Sequence, residues 1–213
     1  MRKMALQLVI GDKNYSSWSL RAALAVDLAG ADCEELRVRL FQPDSRAQLL
    51  RYSPTGKVPV LLTEQGAVWD SLAIAEYLAE CYPEAQLWPQ ERQARALARS
   101  ICAEMHSGFT ALRSHLPMDL ARDKALAELP DEAQADIDRI CAIWAGCRER
   151  YASTGNYLFG QASIADAFYA PIAARLRSYH VALPTTAAAY VETIYRWPAF
   201  QRWYQAALQE VKG

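Results

Sequence analysis

The chain has 213 residues, a length that suggests one large domain or two modest ones. Hydrophobic residues make up 52% of it and charged residues 22%, a composition that excludes a disordered or low-complexity chain. Because 23 lysine and arginine residues are balanced by 24 acidic ones, the sequence excludes a broad basic surface for nucleic acid, and any anionic ligand should be small and locally bound.

The first predicted element is a strand from Met4 to Ile10. It follows a short basic start and breaks at Gly11, too soon for a secretion signal or a membrane-spanning segment. We therefore predict a cytoplasmic protein that does not contact membranes.

A serine-rich turn separates this strand from the first predicted helix. Ser16, Ser17 and Ser19 precede or open a run of helix formers, Leu20 to Leu28, which ends before Gly30. The hydroxyls would then lie beside the unpaired N–H groups and the positive dipole end of the helix, where an anion is stabilised. The same serines could equally do no more than cap the helix, because serine is a preferred N-cap residue.

The rest of the first half alternates strands with helices. The alternation of polar and apolar residues, the turn residues and the position of Pro59 define its elements. These are a strand at 35–40, a short helix at 47–50, a strand at 57–62 with Pro59 near its start, an edge strand at 67–69, and a helix at 72–80 capped by Asp70 and Ser71. The predicted order is β-α-β-α-β-β-α.

A domain boundary is predicted where this periodicity stops. The segment 83–90 contains Pro83 and Pro89 and no regular pattern, so we predict a first domain at 1–82, a linker at 83–90 and a second domain at 91–213. The second domain should be entirely helical, with Ser163 and Asp166 as a capping box. Its helices are predicted at 91–116, at 133–151 after a start at Asp131, from Ser163 to Leu176, at 185–195 and at 198–211.

Cysteine and histidine spacing gives no sign of a metal site. The five cysteines form no Cys-x-x-Cys pair, and the three histidines are scattered. We predict reduced cysteines and no bound metal. The residues are Cys33, Cys81, Cys102, Cys141 and Cys147, and His106, His115 and His180.

With this order of elements, the chain resembles the cytosolic glutathione S-transferases, closest to bacterial members related to the zeta and omega classes. Four motifs carry the resemblance: Ser16-Ser17-Trp18-Ser19, Val58-Pro59, Asp70-Ser71 and Ser163-Ile164-Ala165-Asp166. The resemblance implies an α/β plus all-α fold, in which a thioredoxin-like domain binds glutathione and a helical bundle forms much of the co-substrate site. It also implies a homodimer that uses glutathione as co-substrate and needs no other cofactor.

The resemblance makes Ser16 the hydroxyl that activates the glutathione thiol, with Ser17 as the alternative one residue away. Trp18 stands where the zeta class has cysteine, and the chain lacks the cysteine that omega members carry at the position of Ser16. A thiol of pKa roughly 8.5 needs about 2 kcal/mol of stabilisation to lower its pKa by about 1.5 units. One charge-assisted hydrogen bond to the sulfur has that magnitude.

The other glutathione contacts implied by the resemblance lie on two motifs. The backbone of Val58 should pair with the cysteinyl part of the tripeptide, and Pro59 should be cis. Asp70 should attract the γ-glutamyl ammonium, while Ser71 and its helix N-terminus bind the γ-glutamyl carboxylate. Lys57 could reach the other carboxylate of the tripeptide or be only a solvated surface residue.

The co-substrate site should be lined by the helix that carries the stretch 104–109. On one continuous helix, Met105, Phe109 and Arg113 would share a face, whereas His106 would lie about 100° round from Met105. Met105 and Phe109 fit a core position better than a ligand contact. Arg113 or His106 could instead bind an anionic electrophile.

These features imply a glutathione transferase that adds the glutathione thiolate to a small electrophile. Two alternatives remain, a glutathione-dependent isomerase of the maleylacetoacetate type and a non-catalytic module that binds a protein. We predict conjugation over isomerisation, because Trp18 enlarges the side chain beside the reacting sulfur. Asp166 should act as a helix cap with no catalytic role.

Overall fold

The computed structural model describes residues 6–212, and it confirms the predicted order of elements. The first half contains β1 (Leu6–Ile10), α1 (Ser17–Ala29), β2 (Cys33–Arg37), α2 (Ser45–Leu49), β3 (Val60–Thr63), β4 (Gly66–Trp69) and α3 (Ser71–Cys81). The second half contains α4 (Arg92–Ser107), α5 (Thr110–His115), α6 (Asp131–Tyr151), α7 (Ile164–Ser178), α8 (Thr185–Arg196) and α9 (Pro198–Lys212). The predicted start of the first strand, at Met4, lies outside the described residues.

The strands form one mixed sheet in the order β2-β1-β3-β4. β1 pairs in parallel with β2 and antiparallel with β3, and β3 forms a hairpin with β4, the predicted edge strand. The central strand is apolar on both faces, and Leu8, Val9 and Ile10 are buried, as expected for a strand covered on both sides. β2 ends at Arg37, earlier than predicted. Beyond it the backbone N–H of Leu40 donates to Asp12 Oδ2 and not to a neighbouring strand.

Capping residues define the end of α1 and the start of α3, the two helices whose N-termini line the candidate site. α1 ends at Gly30, whose left-handed conformation (φ 60°) suits glycine and closes the helix. α3 begins after Asp70, whose Oδ1 accepts the backbone N–H of Leu72 at 2.8 Å. The peptide between Val58 and Pro59 is cis, as predicted.

The prediction of one continuous helix at 91–116 was wrong. Gly108 ends α4 in an extended conformation, and Phe109 has a left-handed φ of 55° before α5 begins. A Cβ atom on Gly108 would lie 2.8 Å from the carbonyl oxygen of Glu104, so only glycine fits this closing turn. Met105 and Phe109 are buried, as predicted, but they share no helical face with Arg113.

The two halves are joined by a common hydrophobic core. α1 packs against α7, and one cluster of buried side chains extends from Leu24 on α1 to Phe168 on α7 and Trp203 on α9. The capping box of Ser163 and Asp166 is present at the start of α7, as predicted. The boundary at 83–90 stays a prediction. In the part of the chain between residues 6 and 212, no helix is long and apolar enough to cross a membrane.

Candidate functional site

Two adjoining cavities lie between the halves. The first, here called the serine cavity, has a volume of about 620 Å³ and is lined by Tyr15, Ser16, Ser17, Trp18, Leu40, Phe41, Leu49, Gly56, Lys57, Val58, Thr110, Arg113, Ser114, Pro117, Met118 and Arg175. The second, the Asp70 cavity, has a volume of about 510 Å³ and is lined by Trp18, Thr55, Lys57, Val58, Pro59, Trp69, Asp70, Ser71 and Arg113. Four residues line both, so the cavities share one wall.

Ser16 is the N-cap of α1 and is buried. Its Oγ accepts the backbone N–H of Ser19 at 3.3 Å and donates to the Oγ of Ser19 at 2.7 Å. Ser19 in turn accepts the backbone N–H of Gly11 at 3.0 Å, which ties the end of β1 to the helix. The capping interpretation is therefore correct for Ser16, which also lies on the wall of the serine cavity.

Ser17 is in contact with a buried arginine from the other half of the chain. Arg175, on α7, donates from Nη2 to the Oγ of Ser17 at 3.3 Å. Its Nε donates to the carbonyl oxygen of Leu116 and its Nη1 to that of Pro171. Burial, together with repulsion from Arg113, lowers the pKa of Arg175 to about 10.

The turn before Ser16 is held by the second half of the chain. Asn14 donates to Asp119 Oδ1 at 2.7 Å and accepts the backbone N–H of Ala121 at 2.9 Å. Trp203, on α9, donates to the carbonyl oxygen of Lys13 at 3.0 Å. Because these bonds cross between the halves, the serine hydroxyls have fixed positions relative to the helical wall.

The Asp70 cavity contains a buried hydroxyl that has no protein partner. Ser71 is fully buried, and its Oγ has no hydrogen-bond partner among residues 6–212. A buried unpaired hydroxyl is costly, and a ligand acceptor at this helix N-terminus would satisfy it. Asp70, whose Oδ1 caps α3, keeps Oδ2 on the cavity side at 3.1 Å from His106 Nε2.

His106 lies behind the Asp70 cavity and does not line the serine cavity. Burial lowers the pKa of His106, as do Arg21 and Arg113, while Asp70 opposes that shift. A neutral imidazole with its proton on Nε2 donates to Asp70 and orients that carboxylate. His106 therefore lies beside Asp70 and is not among the residues that line the serine cavity; its role toward an electrophile stays a prediction.

Two arginines stack on the indole of Trp18. The guanidinium carbon of Arg21 lies 4.4 Å from the ring centroid and that of Arg113 lies 4.9 Å from it, within cation–π distance. Arg21 is fully buried, and none of its three nitrogens has a hydrogen-bond partner within the described chain. Burial, with repulsion from Arg175 and Arg113, lowers the pKa of Arg21 to about 9.

These arginines make the start of α1 a strongly positive region. Arg175 and Arg113 lower the pKa of Arg21, Arg113 lowers that of Arg175, and the positive end of the helix dipole adds to their field. An anion at the N-terminus of α1 would be stabilised by this field. The geometry thus favours a thiolate over a thiol at this position.

Most residues predicted from the sequence are brought together, and several were missed. Lys57 and Val58 line both cavities, and Lys57 is exposed, which fits either of its two interpretations. The sequence analysis missed Arg175, although a lone arginine near the end of the apolar run of α7 was a detectable signal. It also missed Phe41, because a single exposed aromatic in a loop carries no pattern.

Metal ligands do not cluster in the described part of the chain. No group of three or more histidine, cysteine, aspartate or glutamate residues within 6–212 could hold a metal ion. All five cysteines are free thiols, and burial raises the pKa of Cys102 and Cys147. The polar groups that line the cleft are hydroxyls, guanidinium groups, Lys57 and Asp70.

The architecture and cleft define the class. A mixed four-stranded sheet with a cis-proline beside the start of α1, followed by a helical bundle, is the fold of the glutathione transferases. Residues 15–81 match the sequence model of the N-terminal domain of glutathione S-transferases, and residues 91–206 match that of the C-terminal domain. The chain belongs to the glutathione S-transferase family.

Individual relatives point to the zeta class. The chain is 29% identical over 202 residues to "Glutathione S-transferase Z2" of Arabidopsis thaliana, covering 89% of this chain and 88% of that protein. It is 34% identical over 112 residues to a "Probable maleylacetoacetate isomerase" of Caenorhabditis elegans, a match that spans 53% of this chain and 51% of that protein. The predicted relation to the zeta class is confirmed.

A solved structure shares the fold over the whole chain. A glutathione transferase homologue from Burkholderia, solved with bound glutathione, has a TM-score of 0.71 and 27% sequence identity to this chain. The match covers 98% of this chain and 99% of that one. The predicted fold class is confirmed.

Proposed function

We propose that the protein is a glutathione transferase that binds the tripeptide across the wall shared by the two cavities. The observation that carries the proposal is the unpaired, buried hydroxyl of Ser71 at one helix N-terminus, with Ser16 and Ser17 at another and Val58 between them. The γ-glutamyl group lies in the Asp70 cavity, where Asp70 attracts its ammonium and Ser71 binds its carboxylate. The thiol lies in the serine cavity.

The thiol loses its proton to solvent, and a serine hydroxyl at the start of α1 donates to the resulting thiolate. The thiolate sulfur then forms a bond to an electrophilic carbon, and a leaving group departs with its electron pair or a conjugated double bond accepts the electrons. The family register assigns this hydroxyl to Ser16. The bond from Arg175 supports Ser17, whose oxygen accepts a charged donor while its hydrogen is available for the sulfur.

A second candidate is glutathione-dependent isomerisation of the maleylacetoacetate type. Its support is the likeness to the isomerase of Caenorhabditis elegans and the positive charge on the serine cavity. In this reaction the thiolate adds to a double bond and leaves again after rotation, so glutathione is returned unchanged. We favour conjugation, because Trp18 with its stacked Arg113 occupies the wall beside the sulfur.

Glutathione binding is the first test. We expect calorimetry to give a dissociation constant between micromolar and millimolar, about 4 to 8 kcal/mol of binding free energy. Ser71→Ala should weaken binding about tenfold or more, because the γ-glutamyl carboxylate loses a buried donor. Ser100→Ala, on the exposed face of α4, is the matched control. A folded protein that gives no heat at millimolar glutathione would support the protein-binding alternative.

The reaction type is tested on one preparation with two electrophiles. We expect turnover of a chloronitrobenzene and at least about tenfold lower kcat/KM for maleylacetone, since Trp18 narrows the space beside the sulfur. Conjugation is followed by absorbance of the thioether and isomerisation by loss of the cis-enone. Rapid turnover of maleylacetone without conjugation would place the protein among the isomerases.

The homodimer and the cytoplasmic location implied by the resemblance are part of this proposal. Size-exclusion chromatography with light scattering tests the dimer. A mass of one chain at micromolar concentration would contradict it.

A further inference from the structure

Resting on the proposed transferase function, we infer that the electrophile is an aromatic monocarboxylate. Its carboxylate pairs with Arg113, and its ring lies at the mouth of the serine cavity against Phe41 and Tyr15. The inference combines one available cation in the inner wall with an apolar entrance.

Arg113 is the arginine with unused donors that lines the cavities; Arg21, whose nitrogens are also unpaired within the described chain, lines neither of them. Its only hydrogen bond in the described chain runs from Nη1 to the carbonyl oxygen of Gly108 at 3.3 Å, and no carboxylate of residues 6–212 forms an ion pair with it. It lines both cavities, and its guanidinium is held over the ring of Trp18. A half-buried guanidinium in this state favours a carboxylate ligand, which it can bind with two parallel hydrogen bonds.

The other two cations that line the serine cavity are Arg175, whose nitrogens are engaged, and Lys57, which is exposed. Each nitrogen of Arg175 donates to a protein oxygen, on Leu116, Pro171 and Ser17. Lys57 is exposed and also lines the Asp70 cavity, and we assign it to the second carboxylate of the tripeptide, one of its two predicted roles. One carboxylate of the electrophile can therefore pair with Arg113 in this cavity. A second carboxylate on the same electrophile would lose its water without gaining a cationic partner.

The mouth of the same cavity is apolar and exposed. Phe41 is 85% exposed and Tyr15 is 47% exposed, the two largest exposed aromatics on its rim. Phe41 also has a left-handed φ of 61°, which is unfavourable for a bulky residue and points to a role outside folding. Leu40 and Pro117 add apolar surface to this rim, and the buried side chain of Met118 adds to the cavity wall, so a planar ring would cover apolar surface there.

The volume of the serine cavity is large enough for an aromatic ligand. The serine cavity, at about 620 Å³, lies within the range of about 300 to 1,000 Å³ typical of sites for drug-sized ligands. A short aliphatic diacid would leave most of the rim uncovered. An aryl carboxylate can use both features, because Arg113, the exposed aromatics and the serine hydroxyls line the same cavity.

Two electrophiles that differ only in charge test the inference. In 4-chloro-3-nitrobenzoate and 4-chloro-3-nitrobenzamide the sulfur–carbon bond forms at the same ring carbon, and chloride leaves with the electron pair. After correction for the rates with free glutathione, we expect kcat/KM to favour the acid by about tenfold or more. Arg113→Gln should reduce this ratio to about one, whereas Arg92→Gln, on an exposed surface, should leave it unchanged.

A second pair of measurements separates the ring from the charge. Phe41→Ala should lower kcat/KM for both compounds by about fivefold and preserve the acid preference, since the ring contact is common to both. The diacid 4-chloro-5-nitrophthalate should react more slowly than the monoacid. Equal rates for acid and amide in the wild type would overturn the inference and leave the transferase proposal standing. Binding of glutathione with no turnover of any aryl halide would overturn the transferase proposal itself.

Discussion

Replacement of Ser16 by alanine is expected to raise the pKa of enzyme-bound glutathione by about one unit and to lower kcat/KM near neutral pH by about 10- to 100-fold. The hydroxyl of Ser16 accepts the N–H of Ser19, which polarises it as a donor. When a thiolate is bound, the Ser16 hydroxyl donates to the sulfur and no longer to the Oγ of Ser19. Alanine removes that donor while the field of the arginines and the helix remains, so some depression of the thiol pKa should persist.

The thiolate absorbance near 240 nm, titrated against pH at saturating glutathione, measures this pKa directly. Ser71→Ala is the matched comparison, because it should weaken glutathione binding and leave the pKa of the bound thiol nearly unchanged. Ser16→Ala should also lose about 1 kcal/mol of stability from its N-cap, which urea unfolding measures separately. If Ser17→Ala alone abolishes the low pKa, the donor is Ser17 and Arg175 is its positioning residue.

Replacement of Asp166 by alanine is expected to destabilise the protein by at least about 3 kcal/mol without a direct effect on the site. The carboxylate is fully buried and accepts four hydrogen bonds, from the backbone of Leu158 and Ser163 and from the hydroxyls of Ser163 and Tyr190. Removal leaves these buried donors unpaired at the start of the central helix α7. Urea unfolding measures the loss, and Asp138→Ala, at an exposed site on α6, should change stability by less than about 0.5 kcal/mol.

The same carboxyl predicts a pH dependence. Burial raises the pKa of Asp166 to about 6, although its hydrogen bonds act in the opposite direction. Because this folded-state pKa lies above the unfolded value near 3.9, the folded protein binds more protons between about pH 4 and 6, and the contribution of Asp166 to stability falls as pH rises through that window. Above about pH 6 the contribution is constant. The stability difference between wild type and Asp166→Asn should therefore decrease by about 2 kcal/mol from pH 4 to pH 7.

Urea unfolding of both proteins across this range isolates the Asp166 contribution, because other groups cancel in the difference. A difference that grows with pH would show that the four donors outweigh burial and hold the carboxyl pKa below its unfolded value. In that case the destabilisation by Asp166→Ala should be larger at pH 7 than at pH 5.

The local sequence determined the order of the elements and the ends of many of them. The apolar run of β1, the stop of α1 at Gly30 and the capping box at Asp166 depend on backbone groups within a few residues of each other, so local patterns predict them. The motifs at Val58-Pro59 and Asp70-Ser71 are also local patterns, because each combines the end of a strand or helix with neighbouring residues. The resemblance of these motifs, in order, was sufficient to predict the family.

Only the tertiary structure decided how the cleft is charged and what each cation can bind. Arg175 reaches Ser17 across 158 positions of sequence, and His106 is placed against Asp70 by the packing of α4 on the first half. The break at Gly108 moved Arg113 off the helical face that periodicity had assigned to it. Such contacts depend on the packing of whole elements, and their free energies arise from burial shared among residues distant in sequence. A local sequence pattern does not report these long-range contacts. The charge and shape of the site therefore follow from the fold alone.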